Sequence, residues 1–163
     1  DQARSIAHGL LPTHLEDNDL PHALAGLARE VSHAYGIDCS ASGELDVQPP
    51  SRTHHLYRIA QEAATNAVRH GRAAHVGITL SRCEEHGYTA CMTIEDDGIG
   101  IGPAANDHDG IGMRSMRFRA QTIGGKLNVE TKASGGTLVT CWFDAAPDPV
   151  DGTADLTQIE GLD

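Results

Sequence analysis

The chain has 163 residues, room for one compact domain that buries enough surface to need no disulfide or structural metal. Only 39% of residues are hydrophobic and 4% aromatic, and no stretch of about 18 apolar residues occurs, which excludes a membrane-spanning helix. Twelve basic against 23 acidic residues give a net charge of −11, which disfavours nucleic acid as a partner, and six of the acids lie between Asp144 and Asp163, where there is no base.

Residues 1–16 read as the end of a helix closing at Gly9, with Pro12 beyond it. The chain begins at Asp1 without Met or a signal segment, so it reads as a piece of something longer. An amphipathic helix follows, with Leu20, Ala23, Leu24, Leu27, Ala28, Val31 and Tyr35 at helical spacing and Gly36 as its stop. Ile37–Gly43 reads as a short strand. Pro49-Pro50 then precedes a long helix over Ser51–His70, closed by Gly71. Strands are expected at Ala74–Cys83 and Tyr88–Glu95 around a Glu85-His86-Gly87 turn. The stretch Gly98–Gly112 is glycine-rich and aperiodic. A helix over Met113–Ile123 stops at Gly124-Gly125, and strands at Lys126–Lys132 and Thr137–Asp144 flank Ser134-Gly135-Gly136. This order predicts an α+β two-layer sandwich with helices on one face. Three parts are expected: 1–16, the end of a preceding helix and linker; 17–146, the folded domain; and 147–163, a loose acidic tail.

The cysteines Cys39, Cys83, Cys91 and Cys141 form no CxxC pair and read as reduced, mostly buried thiols of a cytosolic protein. Among ten histidines there is no HxxxH pair, so a histidine metal site is not expected. On the long helix Glu62, Asn66 and His70 recur every four residues as one polar stripe, opposite Leu56, Ile59, Ala60, Ala63 and Ala67. Glu and Asn oxygens on one stripe suit a hard cation such as Mg²⁺, although a solvated helix face has the same pattern. Asp96 continues the parity of Ala90, Met92 and Ile94, so its carboxylate should be partly buried and in need of donors, which a purine amino group or local N–H groups would supply. Gly98, Gly100 and Gly102, then Gly110 and Gly112 opening a helix, would let backbone approach a ligand and present free N–H groups to an anion, with Arg114 and Arg117 adding positive charge. A mobile loop would also account for them. No Walker A motif or dinucleotide fingerprint is present.

Taken in order, these signals resemble the ATP-binding catalytic domain of sensor histidine kinases, within the superfamily that also holds gyrase, the heat-shock chaperone and mismatch-repair ATPases. Gln61-Glu62-Ala63-Ala64-Thr65-Asn66-Ala67-Val68-Arg69-His70-Gly71 resembles the N box. Asp96-Asp97-Gly98-Ile99-Gly100 resembles the first glycine box, Gly110-Ile111-Gly112-Met113 the second and Gly135-Gly136-Thr137 the third. The run Met113–Ala120 with Gly124-Gly125-Lys126-Leu127 is most similar to kinases that signal to LuxR-type response regulators. The resemblance covers about residues 18–146.

It implies the Bergerat ATP-binding fold, with a mixed, mostly antiparallel sheet, and ATP and Mg²⁺ as ligands. Asn66 would coordinate Mg²⁺, and Glu62 would be the catalytic general base or orient the attacking group. Asp96 would accept from the adenine amino group, with Thr137 nearby. Gly98 and Gly100 would admit the purine, and Gly110 and Gly112, with Ile111 and Met113 beside them as binding residues, would cradle phosphates. Arg69 and His70 would contact phosphate, and Ile101–Asp109 would form the ATP lid. Phe118 stands where the family often has an acid, and no clear phenylalanine box is found. The acceptor histidine is missing, since the lone His-Asp dipeptide, His108-Asp109, lies in the lid; it is expected on an upstream dimerisation domain. The expected partners are that domain and a LuxR-type regulator, in a cytoplasmic module that is a homodimer when intact. An anti-sigma-type serine kinase and a nucleotide-binding module without turnover are the alternatives.

Overall fold

The computed structural model describes residues 15, 19–102 and 110–146. The expected helix end within 1–16 and the acidic tail over 147–163 lie outside these residues, apart from Leu15, as does most of the expected lid. The described chain runs α1 (Leu20–Tyr35), β1 (Asp38–Ser42), α2 (Pro50–Arg69), β2 (His75–Glu85), β3 (Tyr88–Asp96), α3 (Ile111–Thr122), β4 (Lys126–Thr131) and β5 (Thr137–Phe143).

Helix α1 begins where the Asp19 side chain accepts from the His22 N–H, with Pro21 in its first turn. It ends at Gly36 in the left-handed conformation, whose N–H donates to the Ser32 carbonyl. Its stripe Leu20, Ala23, Leu24, Leu27, Ala28 and Val31 is buried as the spacing predicts. Helix α2 starts at Pro50, one residue earlier than read from the sequence, and buries Leu56, Tyr57, Ile59, Ala60, Ala63, Ala64 and Ala67. Small residues over its last two turns let the helix lie close to the sheet.

The five strands are ordered β1-β2-β3-β5-β4. β1 pairs with β2 in parallel, and the remaining pairs are antiparallel. The sheet is therefore mixed and mostly antiparallel, as expected. Register aligns the buried residues on one face: Val76 faces Asp96, Ile78 faces Ile94, Leu80 faces Met92, and Met92 in turn faces Cys141. With Ala90, Val139 and Phe143 these residues meet α1, α2 and α3, giving two layers around one core. The other face carries Thr79, Ser81, Thr93, Glu95 and Asn128. Trp142 belongs to that second face by register but is buried there. Its Nε1 donates to Glu85 at 3.0 Å, His86 meets it edge-on at 4.7 Å between ring centroids, and the Lys126 ammonium lies 5.8 Å from the ring centroid.

The β2–β3 hairpin turns on two residues, His86 and Gly87, both with positive φ, instead of the three read from the sequence. Cys39 and Cys141 are buried, while Cys83 and Cys91 are half-buried, and all four are free thiols. Burial pushes Cys39 up to about 11 and Cys141 up to about 12, which leaves both inert near neutrality.

Candidate functional site

A cavity of about 460 Å³ opens between α2, the ends of β3 and β5, and the amino end of α3, in the size range of small-ligand sites. Its polar groups come from widely separated stretches of chain: Glu62, Asn66 and His70 on α2, Asp96 at the end of β3, and Thr137 at the start of β5. Ala63 and Ala67 leave room on the α2 side, and Ile94, Ile99, Met116, Val129 and Val139 supply apolar walls. Gly100, Ile101, Gly110, Ile111, Gly112 and Met113 complete the lining.

Asp96 is the most constrained of these groups. It is 6% exposed, because it continues the inward parity of β3 beneath α2. Its Oδ1 accepts from the Gly98 N–H at 2.8 Å. Its Oδ2 has no hydrogen-bond partner among the described residues and belongs to a side chain that lines the cavity. Burying a carboxylate oxygen without a donor is costly, so the site is built for a donor that arrives from outside.

The loop after Asp96 is fastened on both sides. The Ile99 N–H donates to the Gly71 carbonyl at 2.9 Å, and the Ile101 N–H donates to Thr131 Oγ1 at 3.0 Å. Gly136 has a φ of +86°, and a β-carbon there would lie 2.7 Å from the Asp96 carbonyl carbon. The third glycine box thus lets β5 pass against the backbone that carries the buried carboxylate. Next door, Asp97 points away from the cavity. It accepts from the Ala74 and His75 N–H groups at 2.8 and 2.9 Å, and its Oδ2 lies 2.6 Å from His75 Nδ1. Hydrogen bonds from the His75 N–H and ring, with the Ala74 N–H, hold Asp97 down at about 2, while the same carboxylate raises His75.

Helix α3 turns its amino end to the cavity. The first intrahelical bond runs from the Arg114 N–H to the Gly110 carbonyl, so the N–H groups of Ile111, Gly112 and Met113 have no partner within the helix, and the N-cap Gly110 supplies no side-chain cap. Such a terminus favours an anion. The Glu62 carboxylate lies against this same turn beside Gly112. Behind it, along the α2–α3 seam, Arg119 Nη1 lies 3.4 Å from His55 Nδ1, and Arg58 donates to Gln61 at 2.9 Å. Burial, then the Arg119 charge, pushes His55 below its ordinary range, so its ring is neutral at pH 7 and can accept from the guanidinium.

The structure thus brings Glu62, Asn66, His70, Asp96, Gly100, Ile101, Gly110, Ile111, Gly112, Met113 and Thr137 to one cavity. Gly98 sits just behind it, holding Asp96. Arg69 is exposed at the end of α2 and does not line it, and neither do Arg114 and Arg117 on α3. No lysine or arginine is among the described lining residues. The walls Val129 and Val139 were not singled out from the sequence. Strand parity was their available signal, because each continues a core-facing alternation.

The donor set fits Mg²⁺ held chiefly by phosphate oxygens and water. Asn66 and Glu62 offer hard oxygens, and no cluster of three His, Cys, Asp or Glu residues that could cage a metal occurs among the described residues.

The profile of the family described as histidine kinase-, DNA gyrase B-, and HSP90-like ATPase matches residues 51–147. The sensor histidine kinase MctS of Rhizobium johnstonii is 31% identical over 159 residues, covering 94% of this chain and 34% of that protein. The nitrate/nitrite sensor protein NarQ of Escherichia coli is 33% identical over 138 residues, covering 81% of this chain and 23% of that protein. The chain therefore spans about a third or less of the length of these relatives. The crystal structure of the ATP-binding domain of PrrB from Mycobacterium tuberculosis superposes with a TM-score of 0.65 at 22% identity, covering 79% of this chain and 96% of that one. The fold, the box residues gathered at one cavity and the matched profile agree: the chain belongs to the histidine kinase-, DNA gyrase B- and HSP90-like ATPase family.

Proposed function

We propose that this chain is the ATP-binding catalytic module of a sensor histidine kinase, presenting the γ-phosphate of ATP to a histidine on a separate dimerisation domain. The observation that carries the reading is Asp96, a buried carboxylate with one oxygen occupied by the Gly98 N–H and the other in need of a donor. The exocyclic amino group of adenine is such a donor, and the apolar walls Ile94, Met113 and Val139 suit a flat base. Thr137, at the mouth of β5, adds a hydroxyl beside the base.

Phosphoryl transfer is mostly positioning and charge neutralisation. The free N–H groups of Ile111, Gly112 and Met113 would receive phosphate oxygens, and His70 would add a ring N–H. Asn66 would hold Mg²⁺, which when bound neutralises charge on the β- and γ-phosphates. Glu62, on the same stripe one turn earlier, would accept the proton of the attacking imidazole or orient its ring. The relatives' sensor-kinase names support a relay from the histidine to a response regulator, here proposed to be of the LuxR type, in a cytoplasmic, homodimeric protein. No helix among the described residues is long and apolar enough to cross a membrane.

The test is the intact kinase with radiolabelled ATP. The reading expects an acid-labile, base-stable phosphate on a histidine outside this chain. An acid-stable phosphoserine would favour the serine-kinase alternative, and nucleotide binding without any labelled acceptor would leave only a binding module.

A further inference from the structure

The helical part of α3 gives Gly112 no backbone reason to be glycine. It is the second residue of the helix, its φ is not in the left-handed region, and alanine is the better helix former. A β-carbon there would overlap Glu62 Oε1 and lie 2.8 Å from Glu62 Cδ and 3.4 Å from Glu62 Cγ. Those three nearest atoms all belong to one side chain. By contrast, a β-carbon at Gly136 or Gly98 would strike backbone carbonyls, which cannot move without moving the fold.

We propose that Gly112 is a positioning residue for Glu62: its missing β-carbon is the slot that seats the Glu62 carboxylate against the first turn of α3. The inference rests on the kinase reading above and deepens it. The Glu62 carboxylate is the far end of a flexible side chain, so filling the slot would swing the carboxylate away and leave the helix intact. The seat also ties the proposed base to the first turn of α3. A cradle for phosphate alone would be indifferent to Glu62.

The test is a double-mutant cycle of Gly112→Ala and Glu62→Ala, read by nucleotide affinity in this chain and by phosphoryl transfer in the intact kinase. Gly112→Ala alone should melt at the same or a higher temperature, while kcat at saturating Mg·ATP falls at least about tenfold. In the Glu62→Ala background the slot is already empty, so the further loss of saturating kcat caused by Gly112→Ala should shrink to within about twofold, whatever the substitution does to affinity in either background. Equal losses of saturating kcat in both backgrounds would overturn the proposal, since the β-carbon would then act without Glu62. An unaltered chain that binds no adenine nucleotide would overturn the kinase reading and this inference together. Additive effects with binding intact would overturn the inference alone.

Discussion

Replacing Asp96 by Asn keeps the size and shape of the side chain and removes its charge. In the structure the Asp96 Oδ1 is committed to the Gly98 N–H at 2.8 Å, which leaves the other oxygen for an incoming donor. Asparagine has one acceptor oxygen and one amide NH₂. Whichever way it flips, either the Gly98 N–H or the adenine amino group meets a donor. A hydrogen bond to a charged group contributes about 1.5–3 kcal/mol, so the loss corresponds to about 10- to 150-fold in affinity. Guanine presents a carbonyl oxygen where adenine has its amino group, so the unaltered chain should prefer ATP to GTP strongly, and Asp96→Asn should narrow that gap from both sides. Isothermal titration of this chain with ATP and GTP in excess Mg²⁺ reads both quantities. Thermal melting serves as the control and should move little, because a single loop hydrogen bond is at stake. An Asp96→Asn chain that keeps its ATP affinity and its preference for ATP would refute the assignment of the cavity to adenine.

Glu62→Gln should leave nucleotide affinity within a few fold and slow transfer to the acceptor histidine by about 10²–10⁴, the usual range for a general base, as measured by single-turnover labelling of the intact kinase. Undiminished transfer would remove Glu62 from the chemistry. Gly136→Ala forces a β-carbon onto the Asp96 backbone at a φ of +86°, and it should destabilise the domain by about 1–3 kcal/mol and abolish ATP binding, read by denaturant unfolding of the lone Trp142 and by titration. The His75–Asp97 pair sets a pH window. Asp97, held at about 2, contributes above its ordinary 3.8 and loses its contribution as pH falls toward 2. His75, raised above 6.5, contributes below that value and loses its contribution as pH rises through its elevated one. The two therefore act together between about pH 4 and 6.5. Asp97→Asn should return the His75 titration seen by NMR toward 6.5, and an unmoved His75 would break the assignment.

Much of the molecule was legible before any coordinates, because local periodicity carries it. The i, i+4 stripe of Glu62, Asn66 and His70 and the alternation ending in Asp96 fixed which side chains turn inward, and the glycine boxes named the loops around them. Long-range pairing left no such mark. Nothing in the local pattern of β1 says that it runs parallel to β2, nor that β5 inserts between β3 and β4, since both follow from chain crossovers. The burial of Trp142 on the open face depends on Glu85, His86 and Lys126, which meet it only across the sheet. Arg69, inside the N-box run, turned out exposed and away from the cavity, while Val129 and Val139, outside every box, line it. The seat of Glu62 on Gly112 joins residues fifty positions apart, and only the packing of α3 on α2 creates it. Local repeats set which residues turn inward and which loops can bend, since each element's faces follow from its own period. Which of those faces meet is settled by long-range packing, because that choice is made by the global fit of one core.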